Sequence, residues 1–92
     1  MFLYVVSYDT PSNKRRKKFG DLLSGYGQRV QFSVFECVLS AEKFQELKLR
    51  LRKQWKAGED SLRFYPISSH TLAQVEVWGE PPVSSPPESV IV

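Results

Sequence analysis

Five consecutive cations, Lys14-Arg15-Arg16-Lys17-Lys18, follow a lone aspartate, Asp9, that closes an apolar stretch. The cations fall where the first turns of a helix are expected. The aligned backbone dipoles already place partial positive charge there. Local helix stability therefore does not explain the run. A helix N-terminus supplemented with Lys and Arg is a phosphate site, so Lys14, Arg15, Arg16, Lys17 and Lys18 read as contacts to nucleic acid. Asp9 admits two roles. Taken alone, it is most simply a turn-making aspartate between a strand and a helix. Its functional alternative is a hard oxygen ligand for Mg²⁺ or Mn²⁺. One carboxylate makes a thin metal site, but a two-fold axis would bring a second copy to it. A metal held between the two would activate water against a phosphodiester.

Other reactive residue types are sparse. Lys48, Arg50, Arg52, Lys53 and Lys56 form a second basic cluster, which solvates the outer face of a helix or covers apolar surface with its stems. His70 sits in a Ser-Ser-His-Thr turn and reads as a surface histidine, with general base as the alternative. Cys37 falls within a strand and should be a small buried hydrophobe. The sequence holds no nucleophile triad, phosphate-cradling glycine loop or zinc-ligand spacing.

The elements that position these residues follow from periodicity. Phe2 to Tyr8 is rich in β-branched and aromatic residues and predicts a buried strand. Thr10-Pro11 predicts an N-cap with proline at the first helical position. Phe19, Leu22, Leu23 and Tyr26 then line one helical face, which Gly25 and Gly27 should end through left-handed geometry. From Arg29 to Leu39 the apolar set shifts phase, from Val30, Phe32 and Val34 to Phe35, Cys37 and Leu39. That shift predicts two pairing segments joined near Phe35–Glu36. Ser40 caps a second helix with the stripe Phe44, Leu47, Leu51 and Trp55. Leu62–Ile67 and Gln74–Trp78 read as two further strands. A ferredoxin-like α+β sandwich of βαββαβ order, with both helices on one face of an antiparallel sheet, accommodates this sequence of elements.

The 92 residues fit one domain, here 1–79, followed by a Pro-rich tail, 80–92. All thirteen Lys and Arg precede Gly79, as do only eight of the ten acids, so the domain is more basic than the net charge of +3 implies. An anionic partner suits that balance. One cysteine excludes an intramolecular disulfide, which points to a reducing, cytoplasmic compartment. The apolar run at Phe2–Val6 is too short to span a bilayer and lacks the flanks of a signal peptide, so no membrane association is expected. A domain this small gains stability from oligomerisation. Val90-Ile91-Val92, after the prolines, suits a short strand pairing with a sheet edge, including that of a second subunit, or else a frayed tail.

Several of these segments together resemble the CRISPR-associated Cas-two family. They are Tyr4-Val5-Val6-Ser7-Tyr8-Asp9, the basic helix, Gly27 through Glu36 (GQRVQFSVFE), Asp60 through Pro66 and Val75-Glu76-Val77-Trp78-Gly79. The resemblance spans most of residues 2–79. It implies a ferredoxin-like protomer in a symmetric homodimer, with the C-terminal segment adding a strand to the partner's sheet. It also implies a metal-binding aspartate at Asp9 and further positions tied to nuclease activity at Tyr8, Arg16, Arg29, Ser33 and Phe35. A basic position that is often arginine in the family is Lys18 here, a point charge in place of a bidentate fork. In that reading Asp9 holds Mg²⁺ or Mn²⁺. Arg16, Lys18 and Arg29 neutralise phosphate, while Tyr8, Ser33 and Phe35 shape or support the cleft. Two functions of different class are implied: a metal-dependent endonuclease acting on RNA or double-stranded DNA, and a non-catalytic DNA-holding core for the Cas-one integrase in spacer acquisition. A small RNA-binding or toxin-type nuclease on the same fold is the third reading.

Overall fold

Strand β1 (Phe2–Asp9) alternates between two environments, and that alternation organises the molecule. Tyr4, Val6 and Tyr8 are buried with Phe35, Cys37 and Leu39, beneath Phe19 and Leu23 of one helix and Leu47 and Leu51 of the other. Leu3, Val5, Ser7 and Asp9 take the opposite pleat, away from the helices. The computed structural model describes residues 1–85. Its order is β1, α1 (Asn13–Ser24), β2 (Gln28–Gln31), β3 (Val34–Leu39), α2 (Ala41–Gln54), β4 (Ser61–Ile67) and a short α3 (Ser69–Leu72). The four strands form one antiparallel sheet in the order β2-β3-β1-β4. This is the expected ferredoxin-like βαββαβ arrangement, with β1 and β3 central. Among the described residues no helix is long and apolar enough to cross a membrane.

Local chemistry sets the element ends, in places differently from the expectation. The N-cap of α1 is Ser12, not Thr10: its Oγ accepts the Arg15 N–H at 3.1 Å. Pro11 consequently precedes the cap, and Thr10 is freed for a buried contact described below. Gly25 ends α1 at φ −80°, so the left-handed conformation expected there is not used. Gly27 is needed for space instead. A Cβ on it would lie 2.3 Å from the Glu36 carbonyl oxygen and 2.5 Å from Cys37 Sγ. The phase shift between Arg29 and Leu39 is real, but the chain reverses at Phe32–Ser33 rather than at Phe35–Glu36. A register irregularity lies between Arg29 and Gln31, upstream of the turn, and β3 itself alternates without a break, burying Phe35, Cys37 and Leu39.

α2 starts where expected, with Ser40 Oγ accepting the Lys43 N–H at 3.2 Å. Trp55 closes it as the C-cap, partly exposed and outside the core stripe. Cys37 is fully buried, and burial, helped by the charge of Glu36, pushes its thiol up to about 11.

The expected strand over 74–78 does not form. Val75 and Val77 carry the right alternation, but a strand needs an edge to pair with, and this segment pairs with none among the described residues. It runs instead along the helix-free side of the sheet. Glu76, Val77, Trp78, Glu80 and Pro81 face Val30, Gln31 and Glu36 across a cleft of about 230 Å³. The Ser84 N–H then donates to Glu36 Oε1 at 2.8 Å. The terminal Val90-Ile91-Val92 strand lies outside the described residues.

Candidate functional site

The carboxyl end of β1 joins three elements. Thr10, one residue beyond the strand, is buried, and its hydroxyl donates to Asp60, the residue before β4. Asp60 also accepts from Arg15 Nε at 2.7 Å, from Arg15 Nη2 at 3.1 Å and from the Lys56 N–H at 2.9 Å. Burial alone would raise this carboxyl, but the hydrogen bonds from Arg15, Thr10 and Lys56 outweigh it and hold Asp60 at about 2. The result is a buried, fully bonded ion pair tying the start of α1 to the entrance of β4. Sequence reasoning missed Asp60 as a partner, because a pairing forty-five residues apart has no local signature. It also changes the meaning of Arg15: a guanidinium held by Asp60, and by Glu59 at 2.8 Å, positions the helix.

The remaining cations of the run divide. Lys17 pairs with Asp21 at 2.8 Å on the exposed surface, a contact worth little by itself. Arg16 turns back, donating from Nη2 to the Thr10 carbonyl at 2.7 Å and from Nη1 to Asn13 Oδ1. Its guanidinium therefore sits one residue beyond Asp9. Lys14 and Lys18 are exposed and form no ion pair among the described residues.

Tyr8, Arg29 and Phe35 come together on the helix side of the sheet. Phe35 is fully buried, Tyr8 nearly so, and the Arg29 guanidinium lies 4.8 Å from the centre of the Phe35 ring. Gly20 of α1 leaves room for this group, since a Cβ there would lie 2.7 Å from Arg29 Nη2 and 3.3 Å from the Tyr8 hydroxyl. That hydroxyl is buried and has no hydrogen-bond partner in the structure. Tyr8 and Phe35 are thus core side chains that support the site from below. Ser33 acts through its backbone: its carbonyl accepts the Tyr8 N–H at 3.1 Å.

Asp9 lies on the other side. Strand alternation sends it to the helix-free face with Ser7, across from Ser61 of β4. It is exposed and makes no ion pair or side-chain hydrogen bond among the described residues. At this strand end one chain therefore presents one available carboxylate, with no group of three or more His, Cys, Asp or Glu converging among the described residues. Mg²⁺ commonly retains several waters and takes one or two carboxylates, so Asp9 suits it, and a two-fold copy would supply the second. His70, in α3, is exposed and faces only Gln74.

The segments that build this strand end also match known proteins. Residues 1–75 match the family model described as CRISPR associated protein Cas2. The chain belongs to the Cas2 (Cas-two) family. A relative from Synechocystis sp., named CRISPR-associated endoribonuclease Cas2 3, is 67% identical over 92 residues, covering 100% of both chains. Among solved structures, Streptococcus pyogenes Cas2 is 35% identical with a TM-score of 0.74, covering 84% of this chain and 99% of that one. A chain from a partial Cas6-RT-Cas1–Cas2 complex is 27% identical with a TM-score of 0.80, covering 100% of both. Cas2 membership agrees with the four-stranded sheet and with the resemblance carried by the motifs at Tyr4–Asp9 and Gly27–Glu36.

Proposed function

We propose that this chain forms a two-fold homodimer that cleaves phosphodiester bonds in RNA or double-stranded DNA during acquisition of new CRISPR spacers, using Mg²⁺ or Mn²⁺ held by the paired Asp9 carboxylates. The observation that carries the proposal is the state of Asp9: exposed at the end of a central strand, with no ion pair among the described residues and the Arg16 guanidinium one residue away. Asp60, a few residues off in the fold, is fully consumed by structural bonds, so the contrast between the two acids is chemical. A divalent cation bound there would supply an activated water. The residues of the chain bind and orient the substrate. Lys14, Lys18, Arg16 and Arg29 neutralise phosphate, and Tyr8, Phe35 and the Ser33 carbonyl hold the strand end in place.

A second reading has its own support. The match to a chain of a Cas6-RT-Cas1–Cas2 complex runs over the whole chain and supports association with the Cas-one integrase; in this reading the dimer holds DNA for the integrase without cutting it. The two readings share the homodimer and the basic surface, and they part at Asp9. Labelled single-stranded RNA and duplex DNA, incubated with wild type or Asp9→Ala in Mg²⁺ or EDTA, separate them. The proposal expects metal-dependent cleavage that falls at least a hundredfold in Asp9→Ala while the folded dimer persists, on the order of an essential catalytic group. Cleavage that survives in the mutant, or is absent throughout, sinks the nuclease proposal and leaves the scaffold.

A further inference from the structure

The cations already placed near the end of β1 reach it from the helix layer. Arg16 is folded back onto the Thr10 carbonyl, and Arg29 lies against the Phe35 ring on the covered side of the sheet. Asp9 is on the other side. Where each β4 residue lies follows from its partner in β1. Leu62 opposes Tyr8 and Phe64 opposes Val6, and both pack against the core. Ser61, Arg63 and Tyr65 oppose Asp9, Ser7 and Val5, so they share the helix-free face. Among the described residues, Arg63 is the one Lys or Arg that the four strands put on that face.

Asp9 and Arg63 are diagonal neighbours. Asp9 opposes Ser61, and Arg63 stands two residues further along β4. Such positions are about 7–8 Å apart, within reach of a long side chain. An acid and an arginine can pair at that spacing, yet these two form no ion pair. The guanidinium is turned the other way along its own strand, where Nη1 donates to the Tyr65 hydroxyl at 2.9 Å. A phenol does not compensate its charge, and Arg63 has no carboxylate partner among the described residues. Packing does not explain it either, because the residue is exposed. This arrangement leaves Asp9 open to a cation. It also sets a second positive charge close to that cation, and the two repel unless an anion lies between them. A phosphodiester satisfies both, since the donors of a guanidinium match the oxygens of a phosphate.

We propose that Arg63 binds the phosphate group that a cation at Asp9 also holds, which makes it a substrate-binding residue on the metal's own face of the sheet. This role rests on the metal-dependent reading above and adds to it a residue from β4. Binding tests it without cleavage. Wild type, Arg63→Ala, Arg63→Lys and Arg63→Gln are titrated with labelled single-stranded RNA and duplex DNA, in Ca²⁺ in place of Mg²⁺ and again in EDTA. On the substrate that wild type binds more tightly, Arg63→Ala should lose about tenfold in Ca²⁺, on the order of one charge-assisted contact, and less than about twofold in EDTA. Arg63→Lys should recover part of the loss, because it keeps the charge without the fork. Arg63→Gln, which can still bond Tyr65 but carries no charge, should recover none. Mn²⁺ binding to the free protein, read by electron paramagnetic resonance, should be as tight in Arg63→Ala as in wild type. Cleavage in Mg²⁺ should fall about a hundredfold in kcat/KM in Arg63→Ala, as when one donor to a developing charge is removed. Equal losses in Ca²⁺ and EDTA, no loss in either, recovery by glutamine, loss of Mn²⁺ or a change of oligomeric state overturns the role. If wild type cleaves in Mg²⁺ and Arg63→Ala cleaves equally well, the role falls and the nuclease reading stands. If wild type does not cleave but its Ca²⁺-dependent binding still needs Arg63, the role stands and the nuclease reading falls. Wild-type binding that does not respond to Ca²⁺ overturns both.

Discussion

At the scale of single residues, the molecule separates two aspartates that look alike in the sequence. Asp9 is left available, whereas Asp60 is buried against Arg15, Thr10 and the Lys56 amide. Because Asp60 is held at about 2 in the folded state, below an ordinary carboxylate, its bonds stabilise the protein above pH ~4. That contribution, on the order of 2 kcal/mol, is lost as pH falls through the folded value. Urea unfolding from pH 6 to pH 2 should therefore show wild type losing stability between pH ~4 and ~2, while Asp60→Asn starts lower and declines less over the same window. Identical slopes in the two proteins would remove Asp60 from the acid response. The sequence displayed the cations of residues 14–18 plainly but not their division of labour. Which of five adjacent charges faces a carboxylate depends on where Asp60 arrives, and that is set by tertiary structure.

At the scale of elements, the βαββαβ order was legible because each element buries one face, and burial leaves a period in the sequence. Phe19 and Leu23 at helical spacing, and Phe35, Cys37 and Leu39 at strand spacing, are all found in the core. Boundaries were less legible. The displaced N-cap, the turn at Phe32–Ser33 and the unformed strand over 74–78 depend on bonds and edges elsewhere in the chain. Gly27 illustrates the difference: its necessity comes from the approach of β3, and nothing in its own segment records it. Gly27→Ala forces the Glu36 carbonyl to move and should cost about 3 kcal/mol, a fall of more than ~10 °C in melting temperature. Gly20→Ala is the matched control. The nearest atom there is the end of the flexible Arg29 side chain, so a loss of about 1 kcal/mol or less is expected by calorimetry. Equal losses would mean that the crowding at Gly27 is relieved cheaply.

At the scale of the whole molecule, the two faces of the sheet have different occupations. One is sealed by α1 and α2. The other carries Asp9 and the Arg63–Tyr65 side of β4, with the segment from Glu76 to Ser84 laid against β2 and β3. A single chain gives that face one free carboxylate at the strand end, and in the proposed dimer a second chain completes it. The direct measurement is the stoichiometry of Mn²⁺ binding, followed by the electron paramagnetic resonance of the free ion, with the oligomeric state recorded on the same samples. One tightly held ion per two chains is expected in wild type, and none in an Asp9→Ala protein that remains a folded dimer. One ion per chain, or binding unchanged by Asp9→Ala, would contradict the paired Asp9 site.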